Sequence, residues 1–189
     1  WCTSFGGMGV ARINAKDMYT IEDAAFIPIS QIPHAFEAAY PIKRNGKYFL
    51  MYSSGDCRLS SYAVHYSVGD RPTGPFSPGK NCPILATNPD GTIDGPGHHA
   101  ILENEGKYYI VYHRHDNPHS TNGEFRQVCA DRLSFADDEA IEKVVPTHSG
   151  VGFLGPNQIK PANLAYGAKV VGSSSYHLVA PKTRYSSGD

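Results

Sequence analysis

The chain has 189 residues and a formal net charge of -1, with 17 Lys and Arg against 18 Asp and Glu. That balance leaves no electrostatic footprint for nucleic acid, and no apolar stretch has the length of a membrane-spanning helix. Twelve Tyr, eight Phe, nineteen Gly and fourteen Pro favour strands joined by tight turns over a long helical bundle.

Residues 8–13 read as a late strand of a sheet unit already under way, and residues 1–9 lack the ordered basic and apolar regions of a signal peptide. Residues 39–52 then form a hairpin, with Asn45 and Gly46 as turn residues that tolerate left-handed backbone. Residues 61–67 supply a third, alternating strand before the Pro- and Gly-rich stretch 71–79. The pattern repeats: Gly46, Lys47, Tyr48 and Tyr52 recur as Gly106, Lys107, Tyr108 and Tyr112, displaced by 60 residues. Glu105 and Gly106 occupy the matching turn, and residues 125–133 the matching third strand, before a turn near 137–139. A period near 60 residues is long enough for a four-stranded propeller blade with functional loops.

The expected organisation is a partial propeller over residues 1–146, a linker or closing segment over 147–161, and a further strand-forming region from 162 to 189. Radial sheets need neighbours on both faces, which predicts a parent chain with more blades before Trp1.

Cys2, Cys57, Cys82 and Cys129 have neither zinc-knuckle nor redox spacing. They are compatible with one or two disulfides, in any of three complete pairings, or with buried free thiols. His113 and His115 share a strand face and lie near His119, but no third ligand is fixed with them, so solvent contact or hydrogen bonding is expected for most of this cluster rather than zinc. The glycines at 6, 7 and 9 lack the Lys and Ser/Thr of a phosphate loop. No organic cofactor is expected.

Three segments carry chemistry. His34, Ala35, Phe36, Glu37, Ala38, Ala39 and Tyr40, leading into the 43–52 hairpin, resemble the general-acid segment of glycoside hydrolase family 43. Gly95, Pro96, Gly97, His98 and His99 resemble its central histidine motif, and Arg126 within residues 125–135 its substrate-binding arginine strand. The resemblance covers residues 6–145.

It implies an all-β, incomplete five-bladed β-propeller whose funnel holds an inverting glycosidase site. The substrates it implies are arabinofuranosyl, xylosyl or related plant glycans, as oligosaccharide or polysaccharide. Glu37 would be the catalytic acid: a glycosidic oxygen leaves poorly unless protonated, and flanking alanines and Phe36 favour desolvation of the carboxyl. His98 and Arg126 would contact substrate, Phe36 would line an apolar wall, and Arg132 would be structural. In some family members the axial histidine supports hydrated calcium. Because calcium prefers oxygen, His98 would support the ion's water shell or take direct part in an unusual coordination.

The family's two catalytic aspartates have no counterpart here, since the surroundings of Asp17 and Asp23 do not match. The chain alone is therefore expected to be an inactive fragment of a secreted glycosidase. The alternative is a noncatalytic carbohydrate-binding or structural propeller product. Residues 163–175 are similar to the start of a discoidin-type carbohydrate-binding module, which predicts a truncated β-sandwich accessory domain.

Overall fold

The computed structural model describes residues 2–4, 6–116, 125–152 and 154. Among them, ten strands form three antiparallel sheets. The first contains β1 (Cys2–Ser4), β2 (Gly7–Ile13) and β3 (Ile21–Pro28). The second contains β4 (Glu37–Arg44), β5 (Lys47–Ser54), β6 (Ala63–Gly69) and β7 (Phe76–Pro78). The third contains β8 (Gly97–Asn104), β9 (Lys107–His115) and β10 (Arg126–Leu133). Each sheet is a meander paired in sequence order, and the leading strands lie against one another, β1 on β4 and β4 on β8. These are successive blades of the expected all-β, incomplete five-bladed propeller.

The 60-residue repeat is visible in backbone geometry. Asn45 and Gly46 have φ of 47° and 81°, and Glu105 and Gly106 have 51° and 72°, so both hairpins close through paired left-handed residues. The likeness extends to the strand starts. The β4–β5 register shifts between Glu37 and Tyr40, and the β8–β9 register shifts between Gly97 and Ala100. Ala38 and His98, also 60 apart, take φ of 56° and 49° inside those bulges. A bulge re-aims side chains where pairing begins, and both bulges sit at the residues expected to do chemistry.

Period-two alternation explains the unbroken apolar run of β5. Phe49 and Met51 enter one core with Val64, Tyr66, Ile110, Tyr112 and Leu133, between the second and third sheets. Leu50 and Tyr52 enter another with Met8, Val10, Ile27 and Phe76, between the first and second. A strand buried on both faces has no polar side to alternate with.

The strand expected at residues 8–13 is β2, the middle of its sheet rather than a late strand; β3 follows it and was not anticipated. Glu22 and Asp23 interrupt the apolar pattern of β3 and pair with Arg12 at 3.0 and 2.9 Å. The third strands begin at Ala63 and Arg126, close to expectation, and Phe135 bridges Ile141 around the turn near 137–139.

Cys57, Cys82 and Cys129 are free thiols, so the disulfide alternative fails among these three. Cys82 instead accepts from Tyr66 N at 3.4 Å and approaches Tyr66 O at 3.6 Å. No helix of the described residues is long and apolar enough to cross a membrane. The chain divides into units Trp1–Leu154 and Gly155–Asp189. The expected accessory module at 162–189 and most of the 147–161 segment lie outside the described residues.

Candidate active site

Glu37 opens β4, opposite Ser53 in the ladder, with its side chain 31 % exposed. Tyr62, immediately before β6, donates from Oη to Glu37 Oε1 at 2.6 Å. Burial pushes the Tyr62 phenol up, and the neighbouring Glu37 carboxylate pushes it further, so Tyr62 stays protonated and donates. His98, in the bulge of β8, brings Nδ1 to 3.5 Å from the same Oε1. Ser53 links the two blades: its carbonyl accepts from Phe36 N at 3.0 Å, and its buried hydroxyl accepts from His98 N at 2.9 Å.

The glycines before His98 now have a physical reason. A methyl at Gly97 would overlap the Tyr62 ring, so only glycine lets the phenol cross to Glu37. Gly95 has φ of 53°, and a Cβ there would come within 2.6 Å of the His115 ring and 2.9 Å of Leu59 O.

Three rings stack beside Glu37: Tyr62 on His113 at 5.6 Å and 4°, and His113 on His98 at 6.2 Å and 25°. Burial, then the positive charge of Arg126, lowers His113 to about 4, which leaves it neutral at pH 7. Arg126 opens β10 and donates from Nη2 to Cys57 Sγ at 3.2 Å. Glu37, His98 and Arg126 thus lie at the starts of three different strands, the first residue of β4, the second of β8 and the first of β10, and His98 and Arg126 both neighbour the His113 ring.

Residues 2–141 match the family described as glycosyl hydrolases family 43. The chain belongs to that family. It is 40 % identical over 118 residues to a β-D-galactofuranosidase of Aspergillus niger, covering 61 % of this chain and 33 % of the relative. It is 41 % identical over 78 residues to a xylosidase/arabinosidase of Bacteroides ovatus, covering 41 % of this chain and 21 % of the relative. A solved thermostable family-43 glycoside hydrolase superimposes with a TM-score of 0.62 at 30 % identity, over 75 % of this chain and 48 % of that one. The chain therefore spans a third or less of the length of these two curated relatives.

The other residues singled out in the sequence separate by environment. Phe36 is 44 % exposed and lines an open groove with His34, His65, Ser54 and Ser61, a lining that includes neither Glu37, His98 nor Arg126. Tyr40 turns away: its ring meets His99 at 6.1 Å and its hydroxyl donates to Ile101 O at 3.1 Å, which is packing between blades. Arg132 lies over the Tyr109 ring at 5.3 Å, the structural role expected of it. Asp17 accepts from Thr20 and from Tyr19 N, so it is occupied in its own turn, as Asp23 is with Arg12.

His115 and Asp94 form a buried pair that the family-43 resemblance did not bring out, and His119 lies outside the described residues. Among the described residues, no three His, Cys, Asp or Glu side chains converge as a metal site. His98 offers one ring nitrogen beside one carboxylate oxygen, which does not make the oxygen-rich set that calcium takes.

Tyr62, Ser53 and Cys57 are the site residues that sequence reading missed. The 60-residue repeat held a signal for one: Ser53 occupies the position of His113 in the next blade.

Proposed function

We propose that this chain forms part of the funnel of an inverting glycoside hydrolase acting on arabinofuranosyl, xylosyl or related plant glycans, with Glu37 as the general acid. The observation that carries the reading is the meeting of Glu37 with Tyr62 and His98 at the bulged starts of adjacent inner strands. Oε1 already accepts from Tyr62, so Oε2 is the oxygen that carries the transferable proton. As the bond from anomeric carbon to leaving oxygen breaks, that proton passes to the leaving oxygen. Water attacks the opposite face, and its proton goes to a second carboxylate.

In inverting enzymes the two carboxyl groups stand about 6.5–9.5 Å apart, which leaves room for the water. Asp17 and Asp23 are engaged elsewhere, so the base is assigned to a neighbouring blade beyond these residues. Arg126 supplies a planar set of donors to sugar hydroxyls, His98 hydrogen-bonds the sugar whose glycosidic oxygen Glu37 protonates, and Phe36 gives the C–H face of a sugar an apolar wall. The sugar class draws support from relatives named xylosidase/arabinosidase and β-D-galactofuranosidase.

The test is a panel of arabinofuranosides, xylosides and galactofuranosides offered to the full-length polypeptide carrying these residues, with the first-formed anomer followed by proton NMR. Release of a monosaccharide of inverted configuration supports the reading. A retained anomer, or sugar binding without release, overturns it.

A further inference from the structure

Behind the acid lies a buried pair that the chemistry above does not use. His115, the last residue of β9, has no solvent exposure. Its Nδ1 lies 2.9 Å from Asp94 Oδ2, and its Nε2 lies 2.9 Å from the carbonyl oxygen of Cys57. A carboxylate oxygen and a peptide carbonyl are acceptors only, so both contacts are satisfied together when each ring nitrogen carries a proton. That species is the imidazolium, and a buried cation persists only beside a counter-charge with its remaining bonds filled. Asp94 provides it. Burial pushes the Asp94 carboxyl up, but hydrogen bonds from His115, Ser60 and Thr87 outweigh burial and hold it below the ordinary carboxylate value.

The two partners of His115 belong to different blades. Asp94 precedes β8 in the third sheet, whereas Cys57 lies in the connection between β5 and β6 of the second. That connection, residues 55–62, is gripped again at Ser60 O by the Thr87 hydroxyl at 2.6 Å. Both ends of the grip lead to the site. Cys57 Sγ accepts from Arg126, and Tyr62, whose backbone N bonds Leu59 O at 3.0 Å, holds Glu37.

We infer that His115, as an imidazolium paired with Asp94, is a positioning residue that clamps the 55–62 connection to the third sheet and so fixes Tyr62 on Glu37 and Cys57 on Arg126. The catalytic consequence rests on Glu37 being the acid; the clamp itself does not. A loosened connection lets Tyr62 drift from Oε1 and leaves the acid poorly aimed. The defect then appears in the chemical step, and most strongly for leaving groups that need protonation.

Two measurements test this. In wild-type protein at neutral pH, nitrogen-15 NMR of the His115 ring shows both nitrogens protonated; a neutral tautomer overturns the clamp as stated. In the full-length polypeptide, His115→Gln, Asp94→Asn and the double variant are assayed on an alkyl and a 4-nitrophenyl glycoside. Each single variant lowers kcat on the alkyl glycoside about tenfold or more, changes KM little, and spares the nitrophenyl substrate; the double variant is no worse than either single, because the pair acts as one unit. Equal losses on both substrates, which a merely lower folded fraction gives, overturn the positioning role, as does unchanged kcat. If Glu37→Gln itself lacks this leaving-group dependence, the acid assignment fails, while the NMR result still decides the clamp.

Discussion

The Tyr62 phenol donates a 2.6 Å hydrogen bond to Glu37 Oε1 across 25 residues of sequence. It joins the residue before β6 to the first residue of β4, and the intervening β5 holds the two in register. A hydrogen bond to a charged group contributes about 1.5–3 kcal/mol. Tyr62→Phe should therefore lower kcat on alkyl glycosides about 10–100-fold with little change in KM. Steady-state kinetics check this, and an unchanged kcat would separate Tyr62 from the acid.

Gly97→Ala should reproduce that loss from the opposite side. The added methyl overlaps the Tyr62 ring, which must leave its stack on His113 to make room. Overpacking of this kind costs about 1–3 kcal/mol. Urea denaturation should show the destabilisation and kinetics the lost turnover, whereas a wild-type midpoint would mean that the ring relaxes freely.

The two cores should respond independently. Met8 lies between the first and second sheets and Ile110 between the second and third, both without solvent exposure. Each truncation to alanine should cost about 2–5 kcal/mol. The double variant should equal the sum within about 0.5 kcal/mol, because the sites share no partner. Denaturation midpoints of the four proteins give the comparison.

Acid should destabilise the fold through buried neutral histidines. His99 is 4 % exposed, neither ring nitrogen has a hydrogen-bond partner, and burial, then the nearby His98, lowers it from 6.5 to about 3. Burial likewise lowers His65 to about 4. Unfolded histidines bind protons below pH ~6.5 while these folded ones do not, so the unfolded state gains stability as pH falls. Stability is full above that value and is lost toward pH 3 for His99, by about 1.4 kcal/mol per pH unit for that fully buried ring. Thermal midpoints between pH 7.5 and 5 should fall less steeply in His99→Leu than in wild type. Parallel slopes would contradict this.

What the sequence revealed depended on how local each feature was. The paired turns at Asn45 and Glu105 announce themselves through a repeated Gly-Lys-Tyr, because turn conformation is set by adjacent residues. Strand β3 was hidden because Glu22 and Asp23 break its apolar alternation and are neutralised only by Arg12 on the neighbouring strand. Glu37, His98 and Arg126 stand out in their local segments, and the structure brings Glu37 and His98 within 3.5 Å of each other. Tyr62, Ser53 and the Asp94–His115 pair do not stand out, since each acts across a blade or a strand that no short window contains. Tyr40 showed the converse: it is adjacent to the acid segment, but the bulge turns it into the contact between blades.

The most direct test of the account is Glu37→Gln in the full-length polypeptide, measured on an alkyl and a 4-nitrophenyl glycoside of the same sugar. Loss of the acid should cut turnover of the alkyl glycoside about 10²–10⁴-fold and spare the nitrophenyl glycoside, whose leaving group departs without a proton. Equal, undiminished turnover of both would contradict the assignment of Glu37 as the proton donor.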